Sequence, residues 1–308
     1  MNANYVDTVR LLLAIAPAVF APGRFAMKGG TALNLFVQEM PRLSVDIDLV
    51  FVDHRADRPS ALQTIAQELA TVQAALAAKG YRAHLPAGAE GDDVKLVVGN
   101  EATQVKVEVN IVCRGTVLPV ESRQLVPSAQ ELFTTDLTVP ALATAELYGS
   151  KLVAAMDRQH PRDIFDVMHM LDHFGWQASV IDCFVAYLTG HNRPVHEVLF
   201  TKAKPLEPAF TNEFSGMTRN VTELDVLAHV QARLLEELPR QLTADHREFL
   251  LTMVQGSPAW ERMPMQHLHE LPALKWKLMN LAQLRKRSAA RFEAQHQLLA
   301  ARFDAMTR

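Results

Sequence analysis

The spacing of apolar residues along the chain changes near Pro140. Before this point, segments with an apolar residue at every second position, which is typical of strands, alternate with segments of helical spacing. After it, apolar positions recur almost everywhere at intervals of three or four residues, as they do along helices. The pattern predicts an N-terminal α/β half and a helical second half, with the boundary between residues 126 and 140.

The first half is predicted to contain helices and strands in alternation. The helices cover 5–16, 31–40 and 57–79, and they end at Pro17, Pro41 and Gly80, which stop a helix or cap its C-terminus. The strands cover 24–28, 44–52, 81–85, 94–98 and 103–112. Gly99 and Asn100 favour a hairpin turn between the last two strands.

The second half is predicted to be helical, apart from one loop. The helices cover 141–157, 161–173, 178–188, 222–238, 244–255 and 271–306. Residues 201–219 are rich in Pro, Thr and Asn, which indicates a loop. We expect the chain to divide into one domain over 1–135 and another over 136–308.

Composition and charge are those of an ordinary globular protein, with 49% apolar residues, 21% charged residues and a net charge of −3. This balance does not indicate a nucleic-acid partner, although it leaves room for a local basic face. Cys113 and Cys183 lack zinc-type spacing and predict reduced thiols in a cytoplasmic protein. No apolar run is expected to span a membrane, and the N-terminus lacks the basic start of a signal peptide.

Acidic residues alternate with apolar ones in two of the predicted strands. Asp46 and Asp48 lie two residues apart and are expected on one face, and Glu108 occupies the polar face of a later strand. If the strands are neighbours, the three carboxylates cluster, and they then repel one another unless a cation lies among them. Such oxygen ligands suit Mg²⁺ and the transfer of phosphoryl or nucleotidyl groups. The alternative is a solvent-exposed strand face with alternating acids.

A glycine pair, Gly29 and Gly30, precedes the predicted helix that begins at Thr31. Glycine lets the backbone approach a ligand closely, and a helix N-terminus offers unpaired N–H groups to a phosphate. Hydroxyl groups of Thr31 and Ser44 are candidates for further hydrogen bonds, and Lys28 and Arg42 either add positive charge or lie on the surface. A plain turn before a helix is the alternative for this pair.

Two predicted helices of the second half carry a set of charged residues. Lys151 and Arg158 are seven residues apart and are expected on the same helix face, and Asp163 and Asp166 share a face of the next helix. A lysine in a helix of apolar and small residues is costly to bury without an anionic partner, which favours a ligand contact for Lys151. The two acids have a structural alternative, in which Asp163 caps its helix and Asp166 pairs with an arginine.

The order of these motifs resembles that of the AbiEii/AbiGii nucleotidyltransferase toxins, within the polymerase-beta-like nucleotidyltransferase superfamily. The resemblance rests on Lys-Gly-Gly-Thr-Ala-Leu-x-Leu, Arg-x-Ser-x-Asp-Ile-Asp-Leu, a strand acid, Lys-Leu-x-Ala-x-x-x-Arg and Arg-Asp-x-x-Asp, and it covers about residues 25–171. It implies an α+β fold: an N-terminal nucleotidyltransferase α/β domain with a mixed sheet, followed by an all-helical domain that completes the active site and contacts the acceptor.

The resemblance also implies roles for individual residues. Asp46, Asp48, Glu108, Lys151 and Asp166 are the expected catalytic residues, and the first three of them bind Mg²⁺, with Mn²⁺ as the alternative. Glu108 is also the candidate general base, although many relatives have Asp at this position. The residues expected to bind the nucleotide are Gly29, Gly30, Thr31, Ser44, Lys151 and Arg158.

The predicted activity is transfer of an NMP from an NTP to an acceptor hydroxyl, with release of pyrophosphate. Family resemblance makes a tRNA 3′ end the expected acceptor and a nearby gene the expected source of a DNA-binding antitoxin. Two alternatives are nucleotidylation of a protein hydroxyl and a module that binds a nucleotide or partner without turnover. The predicted last helix is locally basic around Trp276, which indicates either contact with RNA phosphates or a solvated face.

Overall fold

The computed structural model describes residues 3–86 and 93–307. The chain forms two compact units: the first comprises the chain through Leu147 together with Ser215–Val221, and the second comprises Tyr148–Phe214 and the chain from Thr222 onward. The division after Leu147 lies later than the predicted one at 135/136, because strand pairing continues beyond residue 135.

A seven-stranded mixed sheet forms the centre of the first unit, within the described residues. Its order is β3-β4-β5-β2-β1-β7-β6. The strands are β1 Phe25–Lys28, β2 Ile47–Phe51, β3 Arg82–His84, β4 Asp93–Gly99, β5 Gln104–Asn110, β6 Glu121–Gln124 and β7 Thr138–Ala141. The α+β fold with a mixed sheet and a helical second part is therefore confirmed.

The sheet register places the acidic strands side by side. Strand β1 runs antiparallel to β2 with Lys28 opposite Asp48, and β2 runs parallel to β5 with Asp48 opposite Glu108. Along β5, Val105, Val107 and Val109 are buried while the alternate positions are not, so the period-two pattern sets which face carries the acid. The condition that the two acidic strands are neighbours is met.

The helices of the first unit include α1 Ala3–Phe20, α2 Gly29–Phe36, α3 Arg58–Ala78 and α4 Pro127–Phe133. Helix α1 packs against α3, β5 and β7, with Leu12 and Ile15 fully buried. Asp57 caps α3 by accepting a hydrogen bond from the Ser60 N–H at 2.8 Å. The core of this unit therefore lies between these helices and the sheet.

The predicted end of α1 at Pro17 is wrong, since the helix continues through this residue to Phe20. A proline inside a helix costs about 3 kcal/mol, but the last turn buries Val19 completely and so extends the apolar face. The longer helix is long and apolar enough to cross a membrane by length and composition alone, contrary to expectation. Core helices of soluble proteins meet the same criterion, and α1 packs against α3, β5 and β7.

The second unit is helical. Its helices are α5 Thr144–Asp157, of which the first turn belongs to the first unit, α6 Pro161–Phe174, α7 Ala178–Gly190, α8 Val195–Leu199, α9 Glu207–Ala209, α10 Leu224–Glu237, α11 Ala244–Val254, α12 Pro272–Arg287 and α13 Ala289–Thr307. The predicted helix 271–306 is two helices, because Ser288 adopts φ −157° and ψ 89° between them. The predicted loop 201–219 contains α9 and a π-helical turn, Phe210–Phe214.

Gly149 brings α5 into close contact with α7. A Cβ atom at this position would lie 2.5 Å from Cys183 Cβ and 2.7 Å from the Phe184 backbone nitrogen, which real Cβ atoms do not tolerate. Two helices approach this closely only where a side chain is missing. Gly149 therefore sets the packing distance between them.

We expect Gly149→Ala to lower the free energy of unfolding by about 1–3 kcal/mol, the usual cost of overpacking. Helix propensity alone predicts the opposite sign, a gain of about 0.5–1 kcal/mol. Urea denaturation followed by circular dichroism measures the difference, with Ser150→Ala on the same helix as the control. A stabilised Gly149→Ala protein would show that α5 and α7 do not pack as described.

Candidate active site

The glycine turn between β1 and α2 lies directly against a strand carboxylate. Gly29 has φ +75°, a conformation that L side chains rarely adopt. A Cβ atom at Gly29 would lie 2.1 Å from Asp48 Oδ2, so only glycine lets this carboxylate pack on the turn. The antiparallel pairing of β1 with β2 produces the contact, because it sets Lys28 opposite Asp48.

Gly30 makes a second close approach, to the segment that leads into β2. A Cβ atom there would lie 2.8 Å from Arg42 Nη2 and 3.0 Å from Ser44 Oγ. The buried Thr31 hydroxyl donates a hydrogen bond to the Asp46 carbonyl oxygen at 2.5 Å. The first turn of α2 thus carries a guanidinium, a hydroxyl and the backbone of an acidic residue around its N-terminus.

This segment is held in place by a distant part of the chain that belongs to the same unit. Arg42 and Thr218 form an isolated antiparallel β-bridge through their backbones. The Leu43 N–H donates a hydrogen bond to the Met217 carbonyl oxygen at 2.9 Å. Arg42 is buried and donates to the Leu43 carbonyl oxygen at 3.0 Å. The alternative that Arg42 is a surface residue is therefore wrong.

Two of the three predicted metal-binding acids lie on neighbouring strands, and the third lies just before one of these strands. Asp46 precedes β2, because the strand begins at Ile47 and not at the predicted residue 44, and Asp48 lies within it. Glu108 is in register with Asp48 on β5 and pairs with Lys95 of β4 at 3.0 Å. Paired parallel strands are about 5 Å apart, so Asp48 and Glu108 are close at the level of the backbone.

Among residues 3–86 and 93–307, no group of three or more His, Cys, Asp or Glu side chains is placed to hold a metal ion by itself. Mg²⁺ commonly takes only one or two carboxylates and completes its shell with water and substrate phosphates. Asp46 and Asp48 would supply carboxylates of this kind, and the missing side chain at Gly29 lets the Asp48 carboxylate pack directly on the glycine turn. The donor set fits a divalent cation on this basis.

The predicted residues of α5 and α6 form an ionic cluster within the second unit. Lys151 Nζ lies 2.8 Å from Asp163 Oδ1 and 3.0 Å from Asp166 Oδ2. Arg158 Nε lies 2.5 Å from Asp163 Oδ2, and the arginine side chain is 60% exposed. Lys151 and both acids are buried. The shared helix faces predicted for these pairs are confirmed by the contacts.

Burial raises the pKa of the Asp163 carboxyl, but Lys151 and Arg158 outweigh it and hold the pKa below its usual value. The carboxylate therefore stays ionised and balances the buried ammonium. Asp163 does not cap α6, since the His160 ring accepts the Arg162 N–H instead. Asp166 forms an ion pair with Lys151.

Glu146 is a buried acid that sequence analysis did not single out. Its carboxylate oxygens accept hydrogen bonds from the Val117 and Leu118 N–H groups, at 2.7 and 2.9 Å. The residue is fully buried in the first turn of α5 and fixes the loop after β5. The available sequence signal for Glu146 is an acid in the first turn of a helix, where a negative charge interacts favourably with the helix dipole.

The fold has a known counterpart. The structure is similar to that of MenT4, a nucleotidyltransferase toxin from Mycobacterium tuberculosis H37Rv, with a TM-score of 0.60 and 17% sequence identity. The similarity covers 91% of this chain and 94% of that one. At this identity the likeness concerns the fold alone. No curated protein sequence matches the chain.

The sequence match identifies the family of the chain, which the similarity of fold does not. Residues 10–280 match the family described as nucleotidyl transferase AbiEii toxins of type IV toxin–antitoxin systems. The match spans most of the chain, including the glycine turn, both acidic strands and the ionic cluster. The chain belongs to the AbiEii family and is a nucleotidyltransferase toxin of the type IV toxin–antitoxin class.

Proposed function

We propose that this toxin transfers an NMP from an NTP to the 3′-terminal hydroxyl of a tRNA and that it depends on Mg²⁺. The observation that carries the proposal is the contact between the Gly29 backbone and the Asp48 carboxylate. The contact supports the proposal because a helix N-terminus suits a phosphate, a carboxylate suits a cation, and a bound nucleotide–metal pair requires both side by side. The resemblance to relatives that modify tRNA 3′ ends supports the choice of acceptor.

We assign a role in the reaction to each residue of the candidate site. Asp46 and Asp48 would hold the divalent cation, which when bound neutralises charge on the phosphates. Gly29, Gly30 and Thr31 bind the triphosphate through backbone N–H groups, and Ser44 binds it through its hydroxyl. In the second unit, Lys151 and Arg158 are proposed to contact the nucleotide, and Asp166 is proposed to orient the substrate.

The chemical step is an in-line displacement at the α-phosphorus. The acceptor oxygen forms a new bond to this phosphorus, the bond to the bridging oxygen of the β-phosphate breaks, and pyrophosphate leaves. Glu108 accepts the proton of the attacking hydroxyl, as a general base. A tRNA acceptor places the reaction in the cytoplasm, and the family implies a cognate antitoxin, which we expect to be encoded beside the toxin gene.

The test is incubation of the protein with each labelled NTP and total tRNA in the presence of Mg²⁺. Label that resists protease and is released by RNase supports the proposal. Label that resists RNase and yields to protease would instead identify a protein hydroxyl as acceptor. Absence of transfer with every NTP would contradict the proposed activity, and transfer that survives chelation by EDTA would contradict the metal requirement.

We expect Asp48→Asn to reduce transfer by more than about 100-fold, because even outer-shell partners of metal ligands cost 10–100-fold when they are removed. Asp53→Asn is the matched control. This exposed residue follows β2 and caps a turn by accepting the Arg55 N–H, which asparagine also allows. Equal transfer by the Asp48→Asn protein and the control would exclude Asp48 from the site.

We expect Gly29→Ala to reduce transfer as strongly as Asp48→Asn does, because the added Cβ atom displaces the Asp48 carboxylate. Gly23→Ala is the matched control, since Gly23 has φ +70° but no atom within 4 Å of an added Cβ. Both variants carry a backbone strain of about 1–2 kcal/mol. Only the first is expected to lose activity, and equal activities would separate the Gly29 contact from the reaction.

We expect Lys151→Met to lower the free energy of unfolding by about 3–5 kcal/mol, because it leaves two buried carboxylates without their shared cation. Arg158→Met is expected to cost about 1 kcal/mol, since the arginine is mostly exposed. Chemical denaturation measures both. A Lys151→Met protein as stable as wild type would contradict the structural role, and the KM for NTP of the folded variant tests the nucleotide contact separately.

A further inference from the structure

Helix α12 has one face that is anchored in the second unit. Ala273, Leu274, Lys277 and Leu281 are its buried residues, and the helix packs against α7. Lys277 Nζ donates hydrogen bonds to the His191 and Arg193 carbonyl oxygens, both at 2.7 Å. These carbonyls lie just beyond the end of α7, where a cation is favourable. The anchored face therefore fixes which side chains α12 presents outward.

The outward face is both basic and aromatic. Successive helical residues are turned by about 100°, so six exposed positions fall within an arc of about 120°. We call these six residues the basic stripe: Lys275, Trp276, Met279, Gln283, Lys286 and Arg287. Trp276 is 51% exposed and Met279 is 54% exposed, so the stripe presents apolar as well as basic side chains.

The cations of the stripe have no acidic partners among the described residues. Lys275, Lys286 and Arg287 form no ion pair there. By contrast, Arg233, Arg240 and Arg262 of the same unit each pair with a carboxylate. An unneutralised cluster in a chain of net charge −3 is a local positive field that attracts a polyanion.

Further cations extend the field beyond the stripe. Arg285 lies with its guanidinium 5.5 Å from the centre of the Phe292 ring, which restrains it, and Arg291 follows in α13. Lys286 and Arg287 also lie outside residues 10–280, the part of the chain that matches the family. The basic end of α12 is therefore a property of this chain that the family match does not cover.

The stripe fits a nucleic acid better than a membrane surface. A helix that lies in a membrane interface buries a broad apolar face, but the broad apolar face of α12 is already packed within the protein. The outward face combines separated cations with one exposed indole ring. Cations that follow a phosphate backbone and an aromatic ring that stacks on an unpaired base are the elements of single-stranded recognition.

We propose that the basic stripe of α12 binds the phosphodiester backbone of the acceptor RNA and that Trp276 stacks on one of its unpaired bases. This inference rests on the proposed function for the identity of the RNA as acceptor. Binding through phosphates is independent of sequence, so the stripe supplies affinity for RNA.

The test is the affinity of the full-length protein for fluorescently labelled total tRNA, measured by anisotropy without NTP over a range of salt concentrations. The variant carries Lys275→Gln, Lys286→Gln and Arg287→Gln. The control carries Arg233→Gln, Arg240→Gln and Arg262→Gln, which makes the same change in net charge on the same unit. We expect the stripe variant alone to lose about 2 from the slope of log affinity against log salt, at about 0.7 per phosphate contact.

Trp276→Ala is a second, uncharged variant. We expect it to weaken tRNA binding about 5- to 100-fold, the range for loss of one stacked base, while the salt slope stays unchanged. Both proteins should retain the circular dichroism spectrum and melting temperature of wild type, because the stripe is exposed. Equal affinity and slope in stripe variant, control and wild type would overturn the proposal, as would binding to phosphatidylserine vesicles in place of tRNA.

Failure of this inference and failure of the proposed function give different results. If the stripe variant binds tRNA as tightly as wild type and still transfers label to it, the role of the stripe is contradicted and the proposed activity is supported. If tRNA binding depends on the stripe but the protein transfers no label, the RNA-binding surface is supported and the proposed reaction is contradicted. A protein that neither binds tRNA nor labels it would overturn both.

Discussion

The geometry of the first unit depends on one constraint: the Gly29 backbone must lie within contact distance of the Asp48 carboxylate. The contact requires β1 and β2 to pair in the observed register, with Lys28 opposite Asp48, and it requires a residue without a side chain at positive φ. The same register sets Asp48 beside Glu108 on β5. A single backbone alignment therefore brings together the helix N-terminus and the acidic strands, and a one-residue slip would turn every carboxylate to the opposite face.

Buried charge is used differently in the second unit. Lys151 is neutralised by two acids inside the protein, whereas Lys277 has only backbone carbonyls as hydrogen-bond partners in the described contacts, and burial lowers its pKa to about 8. Transfer of a charge from water into a protein interior costs several kcal/mol, which suitable partners offset. Both lysines join segments that are distant in sequence, so their partners specify how the helices pack. The exposed cations of α12 have no such internal role, which leaves them available to a ligand.

Local patterns predicted the elements that determine the fold class and the motifs of the family. The alternation in β5 and the seven-residue spacing of Lys151 and Arg158 depend only on backbone geometry, and the structure confirms both. Other features depend on tertiary contacts that no local pattern encodes. The helix runs through Pro17 because Val19 is buried, and Arg42 is buried because a segment near Met217 pairs with its neighbour. Strands β6 and β7 have only four residues each, and the apolar pattern of the sequence predicted neither of them.

The segment Ser215–Val221 belongs to the first unit although the chain on both sides of it belongs to the second. Its pairing with Arg42 and Leu43 completes the support of the segment that carries Ser44 and Asp46. During synthesis the N-terminal part emerges first, but these hydrogen bonds form only after Met217 has left the ribosome. A nascent chain that ends at Leu147 therefore contains every predicted metal ligand but lacks the backbone clamp on the segment that carries Asp46. The candidate active site therefore gains its complete backbone support only late in translation, after Met217 has left the ribosome.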